Sequence, residues 1–259
     1  MEQHNPSIRD EALALLRSGS TNRAVAELLN VPRGTIGWWL HEERKRRGIQ
    51  YVQPTDCPLC TGRDFDRSAY AYLLGLYLGD GHIISKRKQH HLSIFCGEVY
   101  PGLIDEAEWA ILQVMPMPRT GRRHRNGCVE VKSFTKHWTC LFPQHGPGKK
   151  HDRSIALEPW QQEIVDAHPW DFIRGLIHSD GCRTMNWTTR MVGGARKRYE
   201  YPRYWFTNVS DDIRRLYTDT LDKLGVEWTH CTRAGKEYNI SVARRASVAL
   251  MDAHVGPKY

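Results

Sequence analysis

The densest run of apolar positions is "AYAYLLGLYL", Ala69 to Leu78, in which almost no helical face is polar. Such a run predicts a helix buried on every side rather than an amphipathic surface helix. It ends in "GDG", which places Asp80 at the helix C-terminus, where partial negative charge makes a carboxylate unfavourable by about 0.3 to 1 kcal/mol. A positive partner is expected close by.

The pattern returns one hundred residues later. In "FIRGLIHSDG", Phe172 to Gly181, the last nine residues repeat "LLGLYLGDG" position for position, with Asp180 opposite Asp80. The segments after the two copies are also alike. After Asp80 come strand-like "HIIS" and "HLSIF", helix-like "LIDEAEWAILQVM", strand-like "CVEVKSF" and a last helix in "KHWTCLF". After Asp180 come "CRTMNWTTRM", "YPRYWFTNV", helix-like "DDIRRLYTDTLDKLG", then "VEWTHCTR", "EYNISVA" and "RRASVALMD". Aligning Val131 with Val242 leaves the second copy longer, and the surplus is placed in the glycine-rich, basic "VGGARKRYEYP". Gly75 and Gly79 share one helical face, as do Gly175 and Ser179, so two helix backbones can come close and bring Asp80 beside Asp180. Two carboxylates in one small space hold a proton or recruit cations, and oxygen ligands favour Mg²⁺ or Mn²⁺.

The first fifty residues have another rhythm. Ile8 to Arg47 reads as three short helices, with "SGS" at Ser18 to Ser20 closing the first. Thr21 can cap the second, Asn30 can take a left-handed turn, and the third starts near Arg33 with Ile36 and Trp39 inward. This resembles a helix-turn-helix. By that analogy Arg33, Thr35 and Trp38 face the major groove, while Arg44 and Lys45 in "ERKRR" touch phosphates. A helical hairpin that only packs on the rest of the protein is the alternative.

Composition narrows the partners. The chain has 259 residues, a formal charge of +8 and a pI near 9.2, which favours a polyanion. No apolar run approaches the roughly 20 residues of a membrane span, and no signal-peptide pattern opens the sequence, so a cytoplasmic protein (nucleoid-associated if prokaryotic) without membrane contact is expected. The seven cysteines do not form a regular disulfide pattern. "CPLC" at Cys57 to Cys60 is half a zinc site or a reduced turn; Cys140, His145 and His151 could complete it if folding brings them near.

The paired segments resemble the two motifs of the LAGLIDADG homing endonucleases in their single-chain form, over Ser68 to about Pro257. That resemblance implies an α+β chain: a three-helix domain at 1–48, a linker with the CPLC knuckle at 49–67, and αββαββα repeats at 68–157 and 158–259. The repeats would be related by a pseudo-twofold axis, with their sheets forming a saddle over double-stranded DNA. It implies that Asp80 and Asp180 bind Mg²⁺ for phosphodiester hydrolysis and that a basic residue on a strand assists, for which Lys132 is the candidate. Arg244 would be at best a shifted equivalent of Lys132. Gly81 and Gly181 would keep the backbone slim beside the DNA strand. His178, in an apolar stretch, reads as a packed histidine. The basic residues Lys86, Arg87, Arg122, Arg123, Arg125, Arg196, Lys197, Arg198 and Arg203 would follow phosphates. One chain carries both motifs, so a monomer suffices. A non-cleaving regulator that joins the same domain to a helix-turn-helix is the alternative; intein splicing is not expected, because the nucleophile and the final His-Asn are missing.

Overall fold

A computed structural model of the chain describes residues 6–48, 57–86, 89–116, 119–233 and 235–259; Arg87 lies outside them. The chain divides into two compact units, Met1–Pro54 and Thr55–Tyr259. The CPLC segment therefore belongs to the second unit.

The first unit contains α1 (Pro6–Arg17), α2 (Asn22–Leu28) and α3 (Arg33–Arg46). Thr21 caps α2, its hydroxyl accepting from the Ala24 amide at 3.2 Å. Asn30 has φ +50°, the left-handed conformation that lets the chain turn between α2 and α3. Ala12, Leu13, Val25, Val31, Ile36 and Trp39 make the small core. Trp38 is 57 % exposed, on the side of α3 away from that core. Glu43, buried, holds Arg17 at 2.8 Å and pairs with Arg46 as well.

The second unit is α+β and runs through one element series twice. The first series is α5 (Arg67–Asp80), β1 (Gly81–Lys86), β2 (Gln89–Gly97), α6 (Pro101–Val114), β3 (Thr120–Arg125), β4 (Cys128–Ser133) and α7 (Trp138–Leu141). The second is α9 (Pro169–Asp180), β5 (Gly181–Val192), β6 (Ala195–Thr207), α10 (Asp211–Lys223), β7 (Thr229–Arg233), β8 (Lys236–Val242) and α11 (Arg245–His254). Outside both series stand α4 (Pro58–Thr61), which carries the cysteine knuckle, and α8 (Pro159–Ala167), which joins the repeats. The antiparallel sheets have the same order, β1-β2-β4-β3 and β5-β6-β8-β7.

One core runs through both repeats, and α5 and α9 form its centre. Every residue of α5 from Ala69 to Leu78 is buried. A Cβ on Gly75 would lie 2.5 Å from the Phe172 carbonyl oxygen and 2.7 Å from the Leu176 nitrogen; one on Gly175 would strike the Tyr72 carbonyl, and one on Gly79 the Ser179 side chain. Backbone thus meets backbone where Gly75 and Gly175 cross. Burying Leu73, Leu74, Leu76 and Leu78 contributes roughly 1.5 to 3 kcal/mol each, several times the cost of a carboxylate at the helix end. Packing forces Asp80 into place.

Register revises the alignment of the repeats. Gly81 pairs with Ile94 and Ile94 with Val131; Gly181 pairs with Phe206 and Phe206 with Ile240. Val131 therefore corresponds to Ile240, not Val242, and Lys132 corresponds to buried Ser241. Arg244 is off the sheet altogether, at the N-cap of α11, paired with Glu227 at 3.1 Å. Sequence similarity misplaced the strand because Val131 and Val242 share a residue type while the ladder counts from the glycines.

Candidate active site

α5 and α9 deliver Asp80 and Asp180 to adjacent positions: a Cβ on Gly79 would lie 3.0 Å from the Asp180 carboxyl carbon. Burial, and then the charge of Asp80, push Asp180 up to about 6. Asp80 is also raised by its dense surroundings, though one side of it is open to solvent. Asn208 donates to Asp180 Oδ2 at 2.5 Å and is itself fixed, because its carbonyl oxygen accepts from the Ser210 amide and its backbone oxygen from Arg214. Cys96 takes the corresponding place in the first repeat, two residues past Ile94 as Asn208 is two past Phe206.

The cations that the helix ends demand are lysines outside both motifs. The Lys150 ammonium donates to the carbonyls of Tyr77, Leu78 and Gly79 at 2.5, 3.0 and 2.8 Å. Three N–H donors meet three carbonyls at the end of α5, where α-helices leave such groups short of partners; of the three, Tyr77 O also accepts from the Gly81 amide. Burial lowers Lys150 to about 8, against the pull of Asp180 and Asp80, so it is mostly protonated at neutral pH. Lys258 repeats the device on α9, donating to Ser179 O at 2.8 Å. Both lie just past a Gly-Pro pair after the last helix of their repeat, "GPGKK" and "GPK". That echo is the signal in the sequence by which they could have been found.

A cavity of about 550 Å³ opens beside Asp180, lined among others by His82, His145, Lys150, Arg153, Asp180 and Asn208, with Gly79 and Gly81 on either side of Asp80. Burial lowers His82, as do Lys150 and Arg153; His145 is lowered by burial, His82 and Arg153. Both imidazoles are neutral near pH 7. His145 is thus at the acid site and not with the cysteines; the ring that joins Cys57, Cys60 and Cys140 is His137. His151 also lines the cavity.

Other expected residues lie elsewhere. Lys132 is not among the cavity's lining residues and pairs with Glu130 at 3.2 Å. It shares a sheet face with His82, since His82 pairs with Ser93 and Ser93 with Lys132, but stands two strands away. Gly81 does line the cavity, and a Cβ on it would meet Tyr77 of its own helix; one on Gly181 would meet Ile177, at 2.6 Å, and the Trp205 carbonyl of β6. His178 is buried, with Nδ1 3.0 Å from the Tyr72 hydroxyl, and burial drops it to about 3. Arg122 turns to the helix face of its sheet, pairing with Asp105 and Glu108 at 2.7 and 2.6 Å. Arg123 and Arg125 occupy the opposite face, Arg125 held by Glu130 at 2.9 Å. Lys86 is exposed at the end of β1.

The long hairpin of β5 and β6 carries the other cluster. Gly193 and Gly194, at φ +58° and +79°, form the two-residue turn that tight hairpins need. Exposed Arg196, Lys197 and Arg198 come next, with Arg198 5.0 Å above the Trp187 ring. Arg203 lies over Trp205 at 4.8 Å, on the face that also bears Asn186 and Tyr201. Arg33 is exposed and Thr35 half-buried at the start of α3; Arg44 is half-buried and Lys45 exposed near its end.

No protein-family model matches this chain, and no curated protein matches it. Solved structures of similar fold include mesophilic variants of the homing endonuclease I-DmoI, 14 % identical over 73 % of this chain and 96 % of that one, with a TM-score of 0.48. The homing endonuclease I-WcaI bound to its DNA recognition sequence is 12 % identical over 81 % and 91 %, TM-score 0.48. The N-terminal LAGLIDADG domain of DUF199/WhiA is 9 % identical over 80 % and 95 %, TM-score 0.46.

Proposed function

We propose that residues 55–259 form a LAGLIDADG-type endonuclease that hydrolyses phosphodiester bonds in double-stranded DNA with a divalent metal, and that the first unit is a helix-turn-helix adding DNA affinity. The observation that carries the proposal is the meeting of Asp80 and Asp180 where two buried helices cross. The donor set suits Mg²⁺ or Mn²⁺: two carboxylates, with the remaining positions left to water and phosphate oxygens. When bound, such an ion polarises phosphate and activates water. Around it, Asn208 orients Asp180, the two lysines balance the helix ends, and the neutral imidazoles of His82 and His145 can accept a proton from water. A single chain supplies both acids, so one copy builds the site.

The test is Mg²⁺-dependent cutting of a double-stranded library with randomised sites. Asp80→Asn and Asp180→Asn should each lower cutting by roughly 10³-fold or more while DNA binding persists, as should chelation of the metal. A parent protein that binds DNA but cuts no member of the library would instead be a regulator.

A further inference from the structure

The second unit holds another group of ligand atoms, well apart in character from the aspartates. Cys57, Cys60, His137 and Cys140 bring three sulfurs and one imidazole nitrogen within 4.8 Å of one another. Cys60 Sγ is 3.4 Å from His137 Nδ1 and 3.8 Å from Cys140 Sγ, and Cys140 Sγ is 3.8 Å from the same nitrogen. A tetrahedral zinc ion, with Zn–S near 2.3 Å and Zn–N near 2.0 Å, needs S···S edges of about 3.8 Å and S···N edges of about 3.6 Å. Cys60, Cys140 and His137 already have that spacing, and Cys57 lies within 4.8 Å of all three. A disulfide between Cys60 and Cys140 would require about 2.05 Å.

The two halves of the cluster are built alike. Cys57 is the N-cap of α4 and Cys60 its third residue; His137 is the N-cap of α7 and Cys140 its third residue. In each, the amide of the second ligand donates to the carbonyl of the first, at 3.1 and 3.0 Å. Two one-turn helices therefore present paired ligands to one point, in the order Cys-x-x-Cys and His-x-x-Cys.

We infer that these four residues bind one structural Zn²⁺, which pins α7 to α4 and so sets the base of the loop that delivers Lys150 to the end of α5. On binding, the three thiols release their protons to solvent and coordinate as thiolates beside a neutral imidazole, with no change of oxidation state. Physical need supports the role. α7 is four residues long, too short to persist alone, whereas its counterpart α11 has ten. Phe142, directly after α7, stacks on Tyr77 of α5 at 4.3 Å, and the chain then runs on to Lys150. This inference does not depend on the nuclease reading.

Metal content of the purified full chain tests it, with no DNA present. We expect about one zinc per chain, and Co²⁺ taken up in its place should give the charge-transfer and ligand-field absorption of a tetrahedral thiolate site. Cys60→Ser and His137→Ala should lose the ion; His145→Ala, Cys182→Ser and the double variant Asp80→Asn/Asp180→Asn should keep it. Stripping the zinc should speed hydrogen exchange in residues 137–150 before the rest of the unit. Should the Cys60 and His137 variants fail to fold, Co²⁺ titration of the unaltered chain decides the matter. The inference is overturned by a chain that neither carries zinc nor binds Co²⁺ tetrahedrally, by cysteines found as disulfides in reduced preparations, or by loss of the ion on changing His145 rather than His137. An unaltered chain that carries zinc but cuts no DNA would count against the nuclease alone.

Discussion

The two repeats share a strand order, an aspartate at the end of a buried helix and a lysine, just past a Gly-Pro pair, that caps that helix. They part company around this frame. The first repeat sets His82, Lys132 and Cys96 where the second has Cys182, Ser241 and Asn208. Its hairpin strands have 6 and 9 residues against 12 and 13. It ends in a one-turn helix with a cysteine-histidine cluster, where the second ends in a longer helix held by Arg183 and Tyr204 through Asp252. The features both keep are those that bring carboxylates together; the features each changes surround or extend the site. The halves are equivalent in architecture and unequal in chemistry.

The sharpest break in the shared frame is steric. Gly175→Val places bulk on the Tyr72 backbone with no side chain able to yield, and should cost about 3 kcal/mol or more, read as a lowered denaturation midpoint. Ser179→Ala, which removes only a hydroxyl bonded within its own helix and to Gly75 O at 3.5 Å, should cost under about 1 kcal/mol.

The lysines come next. Lys150→Met leaves the Leu78 and Gly79 carbonyls without the ammonium, while Tyr77 O keeps the Gly81 amide, and should destabilise by about 2 kcal/mol, the relief of burying a charge offsetting part of the loss. Lys258→Met, with one such carbonyl, should cost less. Equal losses would show that capping is not what distinguishes them.

Hairpin length offers a comparison in binding. Replacing Arg196, Lys197 and Arg198 together by alanine should weaken DNA affinity and flatten the salt slope by up to about 0.9 for each phosphate no longer neutralised. Arg122→Ala should leave that slope unchanged, since Arg122 faces Asp105 and Glu108.

The last comparison concerns pH. Leu78 and His178 hold corresponding positions, and His178→Leu makes the repeats alike there. The folded chain keeps His178 neutral down to about 3, while the unfolded chain protonates it near 6.5. Between those values the unfolded state binds more protons, so stability falls as pH drops. The variant should therefore gain on the parent by about 1 to 2 kcal/mol between pH 7 and pH 5, seen in denaturant titrations at both values. A pH-independent difference would mean that His178 takes up its proton in the folded chain as readily as in the unfolded one.

Much of the fold was legible in periodicity. The all-apolar α5, the small residues spaced by four and the twin Asp-Gly endings each express one local rule, and together they specify a close helix crossing. Asn30 and Thr21 were legible for the same reason, since turn and cap chemistry lies within a few residues. The site was less so. Asp80 and Asp180 are marked by their motifs, but Lys150 on a short 3₁₀ turn, Asn208 past a strand end and His137 at the cap of α7 depend on how distant segments pack.

The sequence by itself determined the duplication, the element order and which two acids would end the paired helices, because each is set by spacing along the chain. Tertiary structure alone decided the partners: Lys150 at the helix end, Lys132 beside Glu130, His137 rather than His145 among the cysteines, and Ser241 rather than Ala243 opposite Lys132. Register and loop closure act over distances that no local pattern encodes, and a shift of one residue turns a side chain to the other face of its sheet.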